Sequence, residues 1–156
     1  MFLKLEGVEG ESKGHDHEGE IDILAWSWGM SQSGTFHTGG GGGAGKVSVQ
    51  DLSCTKYVDK ASPVLARYCA TGKHFPKGVL TVRKAGGDAL EYIIIELEKI
   101  LVSSVSTGGS QGEELLTENI TLNFAKFNYK YVPQADDGSG EAAIPFGFNI
   151  ETNKVV

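Results

Sequence analysis

Alternation of apolar and polar residues runs through most of the chain and marks it as strand-rich. Phe2, Leu3 and Leu5 flank Lys4 in a short alternating start, and residues 21–28 set Ile21, Ile23 and Ala25 against Asp22, Leu24, Trp26 and Trp28. The second pattern predicts a strand partly covered on both faces. Val79 to Arg83 reads as a third strand, followed by a Gly86-Gly87 turn and a long β-branched run over 90–105, together a hairpin. Residues 115–132 alternate again, with Ile120, Leu122 and Phe124 on one face and Thr121 and Asn123 on the other. An Asp137-Gly138 turn then leads to a last strand over 143–150.

One helix is legible. Ser62 is a favoured N-cap, Pro63 suits the first helical position, and Val64, Leu65, Tyr68 and Cys69 form one apolar stripe before Gly72. These elements predict a mainly β fold, a small barrel or sandwich of antiparallel strands with one flanking α-helix. At 156 residues the chain suits a single domain spanning 1–156, with a core that needs no metal or disulfide staple. Cys54 and Cys69 read as free thiols.

Composition narrows the function. Lys plus Arg number 14 against 20 Asp plus Glu, a net charge of −6, and no cationic cluster stands out, which argues against nucleic-acid binding. The longest aliphatic stretch is Ile93-Ile94-Ile95, far short of the ~20 apolar residues of a membrane span, so membrane insertion is not expected. Lys4 and Glu6 interrupt the N-terminal apolar residues, so the expectation is synthesis in the cytoplasm without a cleaved signal peptide. Glycine is the outlier at 22 residues, many of them in a loop at about 34–45.

Several short motifs resemble catalytic signatures. Gly40, Gly45 and Lys46 match most of a phosphate loop, yet Val47 cannot ligate magnesium and a strand-like Val47-Ser48-Val49 follows where a helix is required. Gly108 to Gly112 spells GxSxG, but all four histidines precede Ser110 and the segment joins two strands, so it reads as a hairpin turn. His15 and His17, with Asp16 and Glu18 beside them, are weak metal candidates, because no third ligand stands at a recognised spacing. That stretch reads as a solvated loop. No catalytic residue, resident metal or cofactor is expected.

The longer segments carry more information. Phe2-Leu3-Lys4-Leu5-Glu6-Gly7, Gly10-Glu11-Ser12, residues 20–29 (EIDILAWSWG) and 46–63 (KVSVQDLSCTKYVDKASP) occur in order, followed by Cys69 to Phe75, 80–87 (LTVRKAGG), Leu90-Glu91-Tyr92, 122–126 (LNFAK) and Pro133-Gln134. Together they resemble the haemolysin-coregulated protein (Hcp) family, the tube protein of bacterial type VI secretion systems. Departures fall in loops, mainly residues 39–43 and 136–140.

The resemblance implies a β-barrel of two sheets with a flanking helix, a structural protein without enzymatic activity of its own. It also implies a homohexamer, rings stacked into a hollow tube within a contractile sheath, a spike protein at the tube tip, secretion with the tube, and small effector proteins carried in the lumen. Ser27, Met30 and Ser31 follow as candidates for lumen or cargo contact, being small or flexible side chains near the turn where the family's channel is expected. Gly39, Gly40, Gly41, Gly42, Gly43 and Gly45 are candidates for ring stacking. Two other classes stay open on the residues alone: a monomeric ligand-binding β module, suggested by Trp26 and Trp28, and a small metalloenzyme built on 15–18.

Overall fold

The alternating segments wrap into one barrel. In a computed structural model, which describes residues 1–34, 36–39, 45–86 and 89–156, the chain runs β1 (Phe2–Leu5), β2 (Ile21–Ser27), β3 (Met30–Ser31), a 3-10 turn (Phe36–Thr38), β4 (Ser48–Val49) and β5 (Leu52–Tyr57). Then follow α1 (Ser62–Thr71), β6 (His74–Arg83), β7 (Glu91–Thr107), β8 (Thr117–Tyr131), β9 (Ile144–Asn149) and β10 (Lys154–Val155). The main sheet has the order β10-β9-β8-β5-β2-β1-β6-β7, and β7 pairs back onto β8, which closes six strands into a barrel. β3 and β4 form a second, two-stranded sheet. The mainly β barrel with one helix expected from the pattern is what the chain adopts.

Leu3, Leu5, Ile21, Leu52, Leu80, Ile95, Leu97, Ile120 and Leu122 fill the interior, each no more than 2% exposed. Their spacing is the period of two that the sequence displays. The bounds differ from expectation in places. β6 begins at His74, five residues earlier than the pattern predicts, and β5 forms where no strand is expected. On β2 the register shifts between Ile23 and Ala25. That bulge leaves Leu24 and Ala25 exposed and turns Trp26 toward the core, instead of the strict alternation expected.

The helix is where the sequence places it, with a different start. Ala61 is the N-cap, Ser62 and Pro63 are the first two helical residues, and no side chain caps the terminus. Asp59 does part of that work, its Oδ1 accepting from the Ala61 N–H at 3.0 Å. Gly72 ends the helix in the left-handed conformation, φ 67°, its N–H donating to the Tyr68 carbonyl. Leu65 is buried and Tyr68 stacks on Phe75 at 4.0 Å between ring centroids, which seats the helix against β6 and β7.

Two features shape the barrel's ends. Strand β8 exchanges neighbours along its length: residues 117–122 pair with β5, and residues 126–131 pair with β9 on the same side. Between those halves β6, β7 and β8 bend together. The rows Pro76–Lys99–Ala125 and Lys77–Glu98–Lys126 both leave the core, and Lys99 takes a positive φ of 53° at the bend.

Candidate assembly surfaces

Three regions are built for something other than filling the core, and one buried network fixes the barrel end from which they are measured. Lys56 and Glu118 stand directly opposite each other on β5 and β8, both on inward positions of the alternation. Lys56 is 0% exposed and Glu118 2%. Four acceptors surround the Lys56 ammonium, Glu118 Oε1 at 2.6 Å, the Tyr57 carbonyl at 2.8 Å, Asp59 Oδ1 at 2.9 Å and Ser62 Oγ at 3.1 Å, and share its three N–H donors. Ser62 Oγ accepts the Asp59 N–H and donates to the same Glu118 oxygen at 2.5 Å. A buried charge is tolerated when it is paired and hydrogen-bonded, and this network supplies both to Lys56 while tying β5, β8 and the start of α1 together. Sequence reasoning missed it. The available signal was a charge at the inward parity of each strand, Lys56 after Leu52 and Cys54, and Glu118 before Ile120 and Leu122.

His15 and His17 do not come together as metal ligands. His15 is exposed, with Nδ1 2.8 Å from its neighbour Asp16. His17 is buried, which corrects the reading of 15–18 as a solvated loop. Its Nδ1 lies 2.8 Å from Glu20 Oε2 and its Nε2 2.8 Å from Glu91 Oε1, and its ring stacks on Phe2 at 4.3 Å. The opposite face of this assembly carries Arg83, whose guanidinium sits 4.6 Å from the Phe2 ring centroid. Gly14 packs so closely on that ring that a Cβ there would lie 2.7 Å from it. His17 is thus the pin that holds the 14–20 loop against β1 and the start of β7. Among the described residues, no group of three or more potential ligands clusters.

Ser27, Met30 and Ser31 are all exposed and lie on one arm, where β2 continues into β3 and β5 into β4. Met30 pairs with Val49 and Ser31 with Ser48. Being consecutive in a strand, Met30 and Ser31 present to opposite faces, so the three candidates do not form one patch. Phe36 stands 86% exposed farther out. Gly39 has a φ of 59°, and the Gly45 backbone passes so close to Ser33 that a Cβ would lie 2.5 Å from its hydroxyl. Gly40, Gly41, Gly42 and Gly43 lie outside the described residues. At the base of this arm and over the bend is a cleft of about 660 Å³, bordered by Asp51, His74, Leu101, Asn123 and Glu151. Lys99 crosses it to Glu151 at 2.9 Å.

Beyond the bend the inward face of the sheet continues past the barrel. Rows of directly opposed residues run Leu97–Phe127–Phe148, Ile95–Tyr129–Phe146 and Ile93–Tyr131–Ile144 across β7, β8 and β9. Phe127 is 1% exposed under Trp28, whose ring lies 4.8 Å away, whereas Tyr131 is 40%, Phe146 41% and Ile144 62% exposed. The reverse face carries the charges, with Lys126–Glu98 at 2.9 Å and Lys130–Glu96 at 2.6 Å. An apolar front and an ionic back are the arrangement of a sheet whose front is meant to be covered. A second apolar group, Tyr57, Val58, Leu115 and Leu116, is exposed at the other end of β8, where the Val58 N–H donates to the Leu116 carbonyl.

The thiols occupy ordinary sites. Cys54 is buried, and its surroundings push the thiol up to about 12. Cys69 is half-buried on the helix, and neither is in a disulfide. The exposed Glu9–Lys60 pair, 2.8 Å apart, lowers the Glu9 carboxyl and raises the Lys60 ammonium through their mutual hydrogen bond.

The fold and these surfaces define a mainly β barrel with one flanking helix and an apolar sheet face left uncovered among the described residues. The type VI secretion system effector family Hcp matches residues 2–131, and the chain belongs to that family. It is 59% identical over 155 residues to the protein hcp1 of Pseudomonas aeruginosa, covering 98% of this chain and 96% of that one. The crystal structure of Hcp1 from Salmonella typhimurium superposes with a TM-score of 0.82 at 38% identity, covering 99% of this chain and 97% of that one. A further type six secretion system protein superposes at 0.94 with 31% identity, covering 99% and 98%. The family is one of structural secretion proteins.

Proposed function

We propose that this chain is the tube subunit of a type VI secretion system. Hexameric rings stack into a hollow tube inside the contractile sheath, a spike protein sits at the tube tip, and the assembly leaves the cell carrying small effector proteins in its lumen. The observation that carries this reading is family membership extending over nearly the whole chain, with the 59% identical relative aligned almost end to end. The open apolar sheet beyond the bend supports it, since a subunit with such a face has a reason to associate.

Native mass tests the ring. The expected value is six times the 16.6 kDa of the chain; a persistent monomer overturns the ring and favours the ligand-binding module, with the cleft beside His74 as its site. Cargo contact is assigned to the arm bearing Ser27, Met30 and Ser31. Ser31→Gln then leaves the ring mass unchanged and reduces export of effectors that travel inside it, whereas unchanged export removes Ser31 from the lumen wall. Stacking is assigned to the glycine-rich loop. Deleting Gly40, Gly41, Gly42 and Gly43 should leave single rings intact and shorten or abolish tubes seen by electron microscopy.

A further inference from the structure

The cleft at the base of the arm has the make-up of a small-molecule site. Its volume of about 660 Å³ falls within the roughly 300–1,000 Å³ that such sites occupy. Much of its lining is apolar: Phe75 and Phe124 are buried, and Leu101, Ala125 and Ile150 are half-buried and so still open to a ligand.

The charged groups on its rim are not equivalent. Both carboxylates are engaged from within the chain. Asp51 Oδ2 accepts from Ser103 Oγ at 2.5 Å and its Oδ1 from the Asn123 amide at 2.8 Å, while both Glu151 oxygens face the Lys99 ammonium, at 2.9 and 3.1 Å. The donor side is open. Lys46 and His74 are exposed and hold no hydrogen-bond or ion-pair partner among the described residues, and Lys99 has a third N–H to offer beyond the two turned to Glu151. An anion entering the cleft meets unengaged donors, whereas a cation meets carboxylates that are already satisfied.

We propose that this cleft binds a small organic anion, a carboxylate on an apolar body. Lys46, His74 and Lys99 hold the carboxylate, and the body lies along Leu101, Phe124 and Ile150. The residues come from two parts of the molecule. Lys46 precedes β4 on the arm, and His74 and Lys99 belong to β6 and β7 at the bend, so an anion seated between them ties the arm to the barrel. The site lies within one copy and does not rest on the ring.

The test is isothermal titration calorimetry with octanoate, in parallel with 1-octanol as its uncharged twin. Octanoate should bind saturably at one per chain, and 1-octanol about tenfold more weakly, because charge-assisted hydrogen bonds are lost. Lys46→Gln and His74→Gln, both at exposed positions, should each weaken octanoate by about fivefold. Leu101→Glu, which sets a carboxylate against the apolar body, should abolish binding, and Lys130→Gln on the charged back face should leave it unchanged. Melting curves without ligand show which variants are folded. Equal binding of octanoate and 1-octanol overturns the anion site, and so does full octanoate binding by folded Lys46→Gln and His74→Gln. A wild-type hexamer that binds no octanoate removes the site and leaves the ring standing; a monomer that binds it does the reverse.

Discussion

Strand β8 lives in two environments. Its first half lies between β5 and β7, and Glu118, Ile120 and Leu122 point into a closed barrel where none is more than 2% exposed. Its second half lies between β9 and β7, and Phe127, Tyr129 and Tyr131 point to the same side with rising exposure until Tyr131 is 40% open. The alternation of residue types is equally clear in both halves. What differs is the cover: one half has the rest of the barrel above it, and the other has, among the described residues, Trp28 and then an open face. Period-two patterning therefore announces a face that wants burial without saying whether the same chain or another copy buries it.

Breaking the closed half should cost most. Lys56→Met leaves Glu118 buried without its cation and is expected to lower unfolding free energy by about 3–5 kcal/mol in urea titrations. The double variant Lys56→Met/Glu118→Leu should recover part of that loss, because the buried Glu118 charge goes with its partner and only Asp59, at the edge of the network, loses its cation. Next, Leu122→Ala should cost about 2–5 kcal/mol through the cavity it opens. On the open half, Tyr131→Ala should cost the isolated subunit about 1 kcal/mol or less and instead weaken the ring, a split read by comparing urea midpoints with native mass. Equal losses in the two halves would erase the distinction between them.

The two histidines sharpen the same comparison at smaller scale. His17→Ala removes a buried ring and leaves Glu20 and Glu91 without their partner, so a loss of about 1–3 kcal/mol is expected. His15→Ala, at an exposed position, should fall within about ±0.5 kcal/mol.

The thiols give the smallest effect and a definite sign. Burial raises the Cys54 thiol to about 12, from an ordinary value of 9.0. The unfolded chain therefore loses that proton first, and the stability held by the neutral thiol is fully present below about 9 and lost as pH rises toward 12. At neutral pH, iodoacetamide should label Cys69 in the folded protein and spare Cys54 until the chain unfolds.

Much of the fold was legible because most strands announce themselves by alternation and turns. The long β7–β8 hairpin, the Gly108–Gly112 turn and the helix ending at Gly72 came directly from it. β5 was obscured because Lys56 occupies an inward position, which breaks the apolar rhythm. His17 was misread for a different reason. Nothing in a polar loop signals that Glu91, 74 residues away, and the Phe2 ring will enclose it. The exposed apolar face was the least legible, since Ile144 and Phe146 look like core residues in sequence and become a surface only once β9 is seen to run past the barrel.

The most direct test of that last point is hydroxyl-radical footprinting of wild-type protein, comparing the assembled form with the same protein diluted until it dissociates. Tyr131 and Phe146 should be protected in the assembly and become reactive on dissociation, while buried Phe127 stays unreactive in both. Equal reactivity of Tyr131 and Phe146 in the two states would mean that no second copy covers this face, and would contradict the account.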